Sequence, residues 1–521
     1  MRTLFNTCYA DPWIKVAKRL QENKIVNPVY WIGYYHDNSE EDVPLLFPEI
    51  VYQSRWDAWK GIFPGLIEKE YVNYNLDPDY LKSISCYEMQ AITLMDRMDP
   101  NRHSFPFAER QRLFRNMLRK WIASIKLYNL ELIIADRIPH RSYDYPLYLI
   151  SKHTGVKYLF LLPTSLKYRS LACQDLNNIN QQIENEYKYY CQRNKGLDLD
   201  AIRGYVESDI LEKYDICKMN YDQAIPTYMT QHQKRQKRNS NIFKLGVNFA
   251  WEFLNLKKNK EIHHRRNRGF LYDFMDVHPY AKKPNKSIED SKYNALEYGL
   301  TTYMAIRYKK LLKSTYEKKA QRLDLDKPYV CFFMHYQPEA TSCPAGDIYV
   351  DQYLAIEQLA SVIPIGWNLY VKEHTSQFNI IGEGQKSRFE HLYSDLEKIN
   401  NVKLISLEEN SFELIDNAEA VATLTGTVGW EAVVRGKPVI VFGLTWYEDC
   451  YGVLKVRESK DLDSIKGFID AYQPNENAVF NYLLAIQRNA PQTYSYMAKG
   501  KKDINENDCI NSITKQIIDI L

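Results

Sequence analysis

Short apolar runs alternating with helical periodicities dominate the two ends of this chain. Residues 3–6 read as a strand. Asp11-Pro12 then supplies a capping carboxylate and the proline tolerated in a first helical turn, and 13–20 repeat apolar positions at helical spacing. Strands follow at 29–32, ending at Gly33, and at 132–135. Residues 145–153 read as a helix closed by Gly155, and 157–162 as another strand. Strands separated by helices pair in parallel, so this region predicts a doubly wound α/β sheet.

The alternation resumes at Lys327. Strands are expected at 329–334, 368–371, 402–405, 420–424 and 439–442. Helices are expected at 351–361, 388–399, from Ser411 as cap to 418, and at 428–435, the last ended by Gly436. Between these regions, residues 171–325 are rich in Asn, Gln, Lys and Tyr, with helical periodicity at 183–192 and 298–319. The predicted organisation is a Rossmann-type domain at 1–170, a helical and partly basic insertion at 171–325, a second Rossmann-type domain at 326–480, and helices at 481–521 that pack back on the body.

Composition agrees with this size and class. A chain of 521 residues exceeds one ordinary domain, and 45% hydrophobic with 26% charged residues fits a full core. The longest apolar runs are strand-sized, far below the roughly 20 residues that cross a bilayer. The N-terminus lacks the apolar core of a signal peptide. Nine scattered cysteines without a C-x-x-C pair predict free thiols in a reducing compartment, so a cytoplasmic protein is expected. A formal net charge of +3 argues against a nucleic-acid partner. Two basic runs stand out: Lys234, Arg235, Lys237 and Arg238, then His263, His264, Arg265, Arg266 and Arg268. They fit either a solvated face or a patch meeting an anionic glycan or lipid headgroups at the inner face of the membrane.

In open parallel sheets, ligands bind beyond the carboxyl ends of the strands. Residues 329–334 run into His335, Gln337 and Glu339, 368–371 into Lys372, Glu373 and His374, and 420–424 into Thr425, Gly426 and Thr427. Three crossings thus deliver chemically useful groups to one rim. Thr425-Gly426-Thr427 leads from strand to helix, where free N–H groups and two hydroxyls make an anion site. Gly426 and Gly429 would admit a phosphate close to the backbone. The plainer role for Thr427 is a helix cap. Glu431 lies four residues further, one too far for a capping box, which leaves its carboxylate to face the rim and hold ribose hydroxyls. Lys372 and His374 read as the positive charge and donors that neutralise a departing phosphate. A satisfied structural histidine is the alternative for His374, a turn for Gln337-Pro338, and a solvated acid for Glu339. In the first domain, Asp136, His140 and Asp144 fall on the rim facing the second. Asp144 is either a helix cap or, with His140, a general base for an acceptor hydroxyl.

Absent motifs narrow the class. No G-x-x-x-x-G-K-[ST] loop and no G-x-G-x-x-G fingerprint occurs, which weighs against NTPases and dehydrogenases. The D-x-D pairs Asp77/Asp79, Asp198/Asp200, Asp324/Asp326 and Asp461/Asp463 end no apolar strand. A metal-free site using side-chain donors and a helix dipole is expected instead.

With these residues in view, the second domain resembles the bacterial capsule polysaccharide biosynthesis family, which includes the Kdo transferases of capsule assembly. The likeness rests on HYQPEA (335–340), Gly346-Asp347, Asp351-Gln352, YVKEH (370–374) and TGTVGWEAVVRGKPVIVFG (425–443), with a weaker echo in IPHRSYDYPLYLISKHTGVK (138–157). It implies a GT-B-like fold of two facing Rossmann-type domains, with donor nucleotide on the C-terminal one and acceptor on the other. The Ser/Thr-rich phosphate motif of such enzymes matches Thr425 and Thr427. Relatives using CMP-activated sugars carry a His-Pro pair where this chain has His374-Thr375. The implied activity is a metal-independent glycosyltransferase that moves a sugar from a nucleotide-sugar donor to a capsule, other surface-glycan or lipid-linked acceptor, without a cofactor. A nucleotide-sugar epimerase of the same fold and a non-catalytic capsule assembly or export factor are the alternatives.

Overall fold

A computed structural model describes residues 1–8, 11–33, 39–100, 102–179, 181–219, 282–291, 295–379, 382–492 and 505–521. Both basic runs and the side chain of Asp11 lie outside what is described.

The first sheet contains β1 (Arg2–Asn6), β2 (Asn27–Gly33), β3 (Val51–Ser54), β4 (Leu132–Ala135), β5 (Lys157–Pro163) and β6 (Ser170–Cys173). Their order is β3-β2-β1-β4-β5-β6, parallel except for β6, which runs antiparallel to β5. The second sheet contains β7 (Tyr329–Phe333), β8 (Asn368–Lys372), β9 (Val402–Leu404), β10 (Ala420–Thr423), β11 (Val439–Val441) and β12 (Val453–Lys455). It is wholly parallel, in the order β12-β11-β10-β7-β8-β9. Each sheet starts at its centre, adds two strands on one side, then three on the other. This is the doubly wound Rossmann order, and two such domains make the GT-B-like architecture expected from sequence.

The strands that sequence patterning missed, β3, β6 and β12, all close a sheet edge. An edge strand is covered on fewer sides and needs no continuous apolar run; β12 is only half-buried along its length.

The helices relevant to the site are α1 (Asp11–Glu22), α2 (Ser85–Leu94), α3 (Phe107–Tyr128), α4 (Asp144–Thr154), α5 (Gln181–Arg193), α6 (Ser208–Met219), α7 (Ala295–Lys319) and α8 (Gln352–Val362). They continue as α9 (Leu392–Glu397), α10 (Ser411–Asp416), α11 (Thr427–Val434), α12 (Ser459–Ala471), α13 (Glu476–Asn489) and α14 (Glu506–Ile520). Gly155 and Gly436 end α4 and α11 at φ of 76° and 74°, left-handed conformations that glycine adopts at little steric cost. Two helix expectations need correction. Asn410, not Ser411, caps α10, accepting the Phe412 N–H at 2.8 Å. The helix expected over 388–399 shrinks to α9, because Arg388 is extended and drawn into a buried ion pair.

Strand alternation divides the core. In β7, Tyr329, Cys331 and Phe333 join a cluster that runs continuously into the first domain through Trp430, Phe480 and Ile133. Val330 and Phe332 face a separate layer with Ala355, Ile356 and Leu359 of α8. The C-terminal segment packs on the first domain: Ile510, Ile513 and Ile517 of α14 bury against Phe5, Trp13 and Val16.

Candidate functional site

The strand order of the second sheet changes direction between β7 and β10, which opens a crevice at their carboxyl ends. His335 leaves β7 and Thr425 leaves β10, and they meet there. His335 Nε2 lies 3.1 Å from Thr425 Oγ1 and 3.4 Å from its backbone nitrogen. The Thr425 hydroxyl donates to Thr341 O at 2.7 Å. Gln352 clamps the histidine backbone, accepting its N–H at 2.7 Å and donating to its carbonyl at 3.1 Å. Burial lowers the His335 pKa to about 3, with His374 and Arg388 adding to the effect, so the ring is neutral. Its Nδ1 is buried without a hydrogen-bond partner.

Beside this contact, α11 begins with Gly426 in the N-cap position, so no side chain caps the helix. Thr427 is exposed in the first turn rather than acting as the cap. The leading N–H groups of α11 therefore keep their hydrogen-bonding capacity and the positive end of the helix dipole. The two glycines also have a steric role within the protein. A Cβ on Gly426 would come within 2.8 Å of Thr423 Oγ1 and 3.1 Å of His335 Cε1. A Cβ on Gly429 would collide with the Tyr447 ring, whose hydroxyl donates to Gly426 O. Both glycines make room for side chains that fix the loop.

The end of β8 corrects another expectation. Lys372 shares a strand face with Tyr370, and its ammonium is spent on the segment after β9, donating to Glu409 O and to Ser411 Oγ at 3.2 Å. Burial lowers its pKa to about 8. Glu373 is fully buried and grips Arg388, with Nε–Oε2 at 2.7 Å and Nη2–Oε1 at 3.0 Å, while Tyr393 donates to Oε2 at 2.8 Å. Arg388 also donates to Gln337 Oε1 at 2.8 Å and His335 O at 3.0 Å. Gln337 spends its amide nitrogen on Val350 O at 2.7 Å. Lys372, Glu373 and Gln337 thus brace the loops.

His374 remains at the surface of the crevice, half-buried. Its Nδ1 accepts the Ser376 N–H at 3.1 Å, which puts the ring proton on Nε2 and makes that nitrogen a donor. Burial lowers its pKa to about 4, so His374 offers a neutral hydrogen bond rather than the charge expected of it.

Two carboxylates lie on the elements that follow β7 and β10. Solvent reaches Glu339, yet protein surrounds its remaining sides; this desolvation raises its pKa, while Thr341 donates to it at 3.2 Å. Glu431, half-buried one turn beyond Thr427, has its pKa raised to about 7 by desolvation, against the opposing charges of Lys213 and Arg435.

In the first domain, His140 is buried and its Nδ1 lies 2.7 Å from Ile138 O, leaving Nε2 as the accepting nitrogen. Desolvation holds its pKa well below the usual histidine value, aided by Arg141 and Arg97. A neutral imidazole with a free Nε2 lone pair is the protonation state of a general base. Asp144 differs: its oxygens are taken by the Arg141 backbone and guanidinium, the latter at 3.1 Å, so it shapes the loop that presents His140. Asp136 pairs with its neighbour Arg137.

Arg97 was not found from sequence. It lies in the 3-10 turn Met95–Met98 after α2, half-buried, and its guanidinium makes no hydrogen bond or ion pair among the described residues. Its charge acts on His140 in the first domain and on Glu339 and Tyr336 in the second, so it stands between the two rims. A hydrogen-bond relay also crosses nearby: Tyr145 of α4 donates to Gln90 of α2 at 2.5 Å, and Gln90 donates to Asp347 at 2.7 Å.

Each D-x-D pair has a local backbone partner. Asp77 accepts from Asp79 N at 2.7 Å, Asp198 from Ala201 N at 2.8 Å and Asp324 from Asp326 N at 2.9 Å. Asp461 forms the capping box of α12. No cluster of three metal-ligating side chains occurs among the described residues, and no helix among them is long and apolar enough to cross a membrane.

Residues 351–484 match the family of capsule polysaccharide biosynthesis proteins. The family resemblance holds over this segment, which contains the YVKEH and TGTVGWEAVVRGKPVIVFG blocks. No curated protein matches the chain. Among solved structures, a β-Kdo 2,7 transferase, KpsC of Thermosulfurimonas dismutans, is 9% identical with a TM-score of 0.27, over 76% of this chain and 89% of that one. UDP-GlcNAc 2-epimerase from Neisseria meningitidis is 10% identical with a TM-score of 0.22, over 94% and 99%. The corresponding epimerase of Methanocaldococcus jannaschii is 12% identical with a TM-score of 0.21, over 100% and 99%.

Proposed function

We propose that this protein is a glycosyltransferase that moves a sugar from a nucleotide-sugar donor onto a capsule, other surface-glycan or lipid-linked acceptor, without a metal ion. The observation that carries this reading is the N-terminus of α11, free of any side-chain cap, beside the His335–Thr425 contact where the strand order reverses. That combination suits a phosphate group.

In this reading the donor phosphate sits on the α11 N–H groups and the Thr427 hydroxyl, with His374 Nε2–H as a further donor. Glu431 holds the ribose hydroxyls. His140 Nε2 takes the proton from the acceptor hydroxyl as its oxygen bonds to the anomeric carbon. The bond from that carbon to the phosphate oxygen breaks, and the leaving group carries away the electron pair. Arg97 balances the negative charge that develops between the domains. Glu339 faces the same space and orients a sugar hydroxyl.

The test is thermal stability in the presence of CMP, UDP, GDP and their sugars, because a ligand of the native state raises its apparent stability. One nucleotide type should raise the melting temperature, and Thr427→Val and His374→Ala should each abolish the rise. Full retention in both variants refutes the site. Conversion of the donor into an epimeric nucleotide sugar without acceptor identifies an isomerase, and absence of any shift identifies a glycan-binding factor without turnover.

A further inference from the structure

Where β6 ends the first sheet, α5, α13 and α14 enclose a groove of about 1210 Å³. It shares no residue with the crevice at β7 and β10. Three of its lining residues, Leu171, Ala172 and Pro491, are aliphatic; the others carry phenols, amides, a hydroxyl or charges. Tyr189 on α5 is 53% exposed and is steadied by an edge-to-face contact with Tyr190 at 5.3 Å. On the opposite wall, Gln516 of α14 is buried. Its Nε2 donates to Ser170 O at 3.1 Å, and its Oε1 has no partner. Arg488 and Lys515 are exposed and make no hydrogen bond or ion pair among the described residues.

We infer that this groove binds an oligosaccharide. An exposed phenol ring offers a rigid, partly apolar face at low conformational cost, suited to the C–H face of a pyranose. Amides, which both donate and accept, and the guanidinium groups of Arg193 and Arg488, which donate, match the dense hydroxyls of a sugar. The volume exceeds the roughly 300–1,000 Å³ of small-ligand sites, so several linked sugar units fit rather than one. A peptide strand added to an exposed sheet edge needs apolar pockets for alternate side chains. Leu171, Ala172 and Pro491 supply few, and Gln516 already occupies the edge of β6 at Ser170.

Binding there needs neither nucleotide nor turnover, so it is measured apart from the transferase activity. Saturation-transfer NMR on the full chain, with maltopentaose, chitopentaose and pentagalacturonate as separate probes, should show transfer to at least one. Tyr189→Ala and Arg488→Ala should each weaken that probe by about tenfold, while Tyr189→Phe keeps it. Unchanged melting temperatures in the variants would show that the fold is intact. No transfer to any of the three probes, or transfer untouched by both alanine variants, overturns the proposal. So does displacement of the bound probe by His140→Ala, which would assign the sugar to the crevice.

Discussion

The His335 imidazole and the Thr425 hydroxyl meet at 3.1 Å, tying the loop after β7 to the loop after β10. Gly426 lies directly beside this contact. Gly426→Ala should therefore push the two loops apart, at a cost of about 1–3 kcal/mol typical of overpacking. Apparent nucleotide affinity should fall by about tenfold or more. Urea denaturation and thermal shift read the two effects separately, and unchanged affinity would mean that this contact does not shape the anion site.

The Arg388–Glu373 pair predicts a larger stability effect. Both side chains are essentially excluded from solvent and bind bidentately. Arg388→Met leaves a buried carboxylate without its counter-charge and should cost about 3–5 kcal/mol. Adding Glu373→Leu should recover part of that loss, since the stranded charge is then gone. Equilibrium unfolding of both variants checks the sign of the recovery.

Lys372 and His374 separate under the same assay. Lys372→Met removes an ammonium that serves Glu409 O and Ser411, so it should lower stability by about 1–3 kcal/mol and leave nucleotide-induced stabilisation intact. His374→Ala should do the reverse. If Lys372→Met abolishes the nucleotide effect, the orientation of that side chain has been misread.

These two residues also show what could be read from sequence. The strand ends were legible because buried parallel strands are short apolar runs, and Gly155 and Gly436 marked helix ends through their left-handed backbone. Lys372 was expected to serve a phosphate at the rim, yet it lies two residues from Tyr370, a core position, and alternation puts both on one face. Arg388 was not legible. Its extended conformation depends on Glu373, 15 residues earlier, and no local pattern announces that partner. Arg97 was equally hidden, since it belongs to the helices inserted between β3 and β4 and reaches the crevice only through tertiary packing.

Glu431 gives a pH signature. Its folded pKa of about 7 exceeds the ordinary glutamate value of 4.5, so the folded protein holds a proton that the unfolded chain releases. The contribution to stability is greatest below about pH 4.5, falls as pH rises towards about 7, and stays low above that. Glu431→Gln should raise the melting temperature at pH 8, make no difference at pH 4.5, and weaken nucleotide binding if the carboxylate holds ribose. Equal melting temperatures at pH 8 would contradict the desolvated carboxylate.

His140 should affect turnover alone. His140→Ala is expected to lower the rate of sugar transfer by about 10²–10⁴-fold, the usual contribution of a general base. The nucleotide-induced thermal shift should survive, because His140 belongs to the first domain. A loss of that shift would assign the residue to donor binding.

The return of α14 onto α1 has a mechanical consequence. The polypeptide travels from the first sheet to the second and back again, so the two halves are laced by two passages of chain rather than hung on one. Together with the Tyr145–Gln90–Asp347 relay and the shared core, the return passage ties the two halves to each other at several separate places.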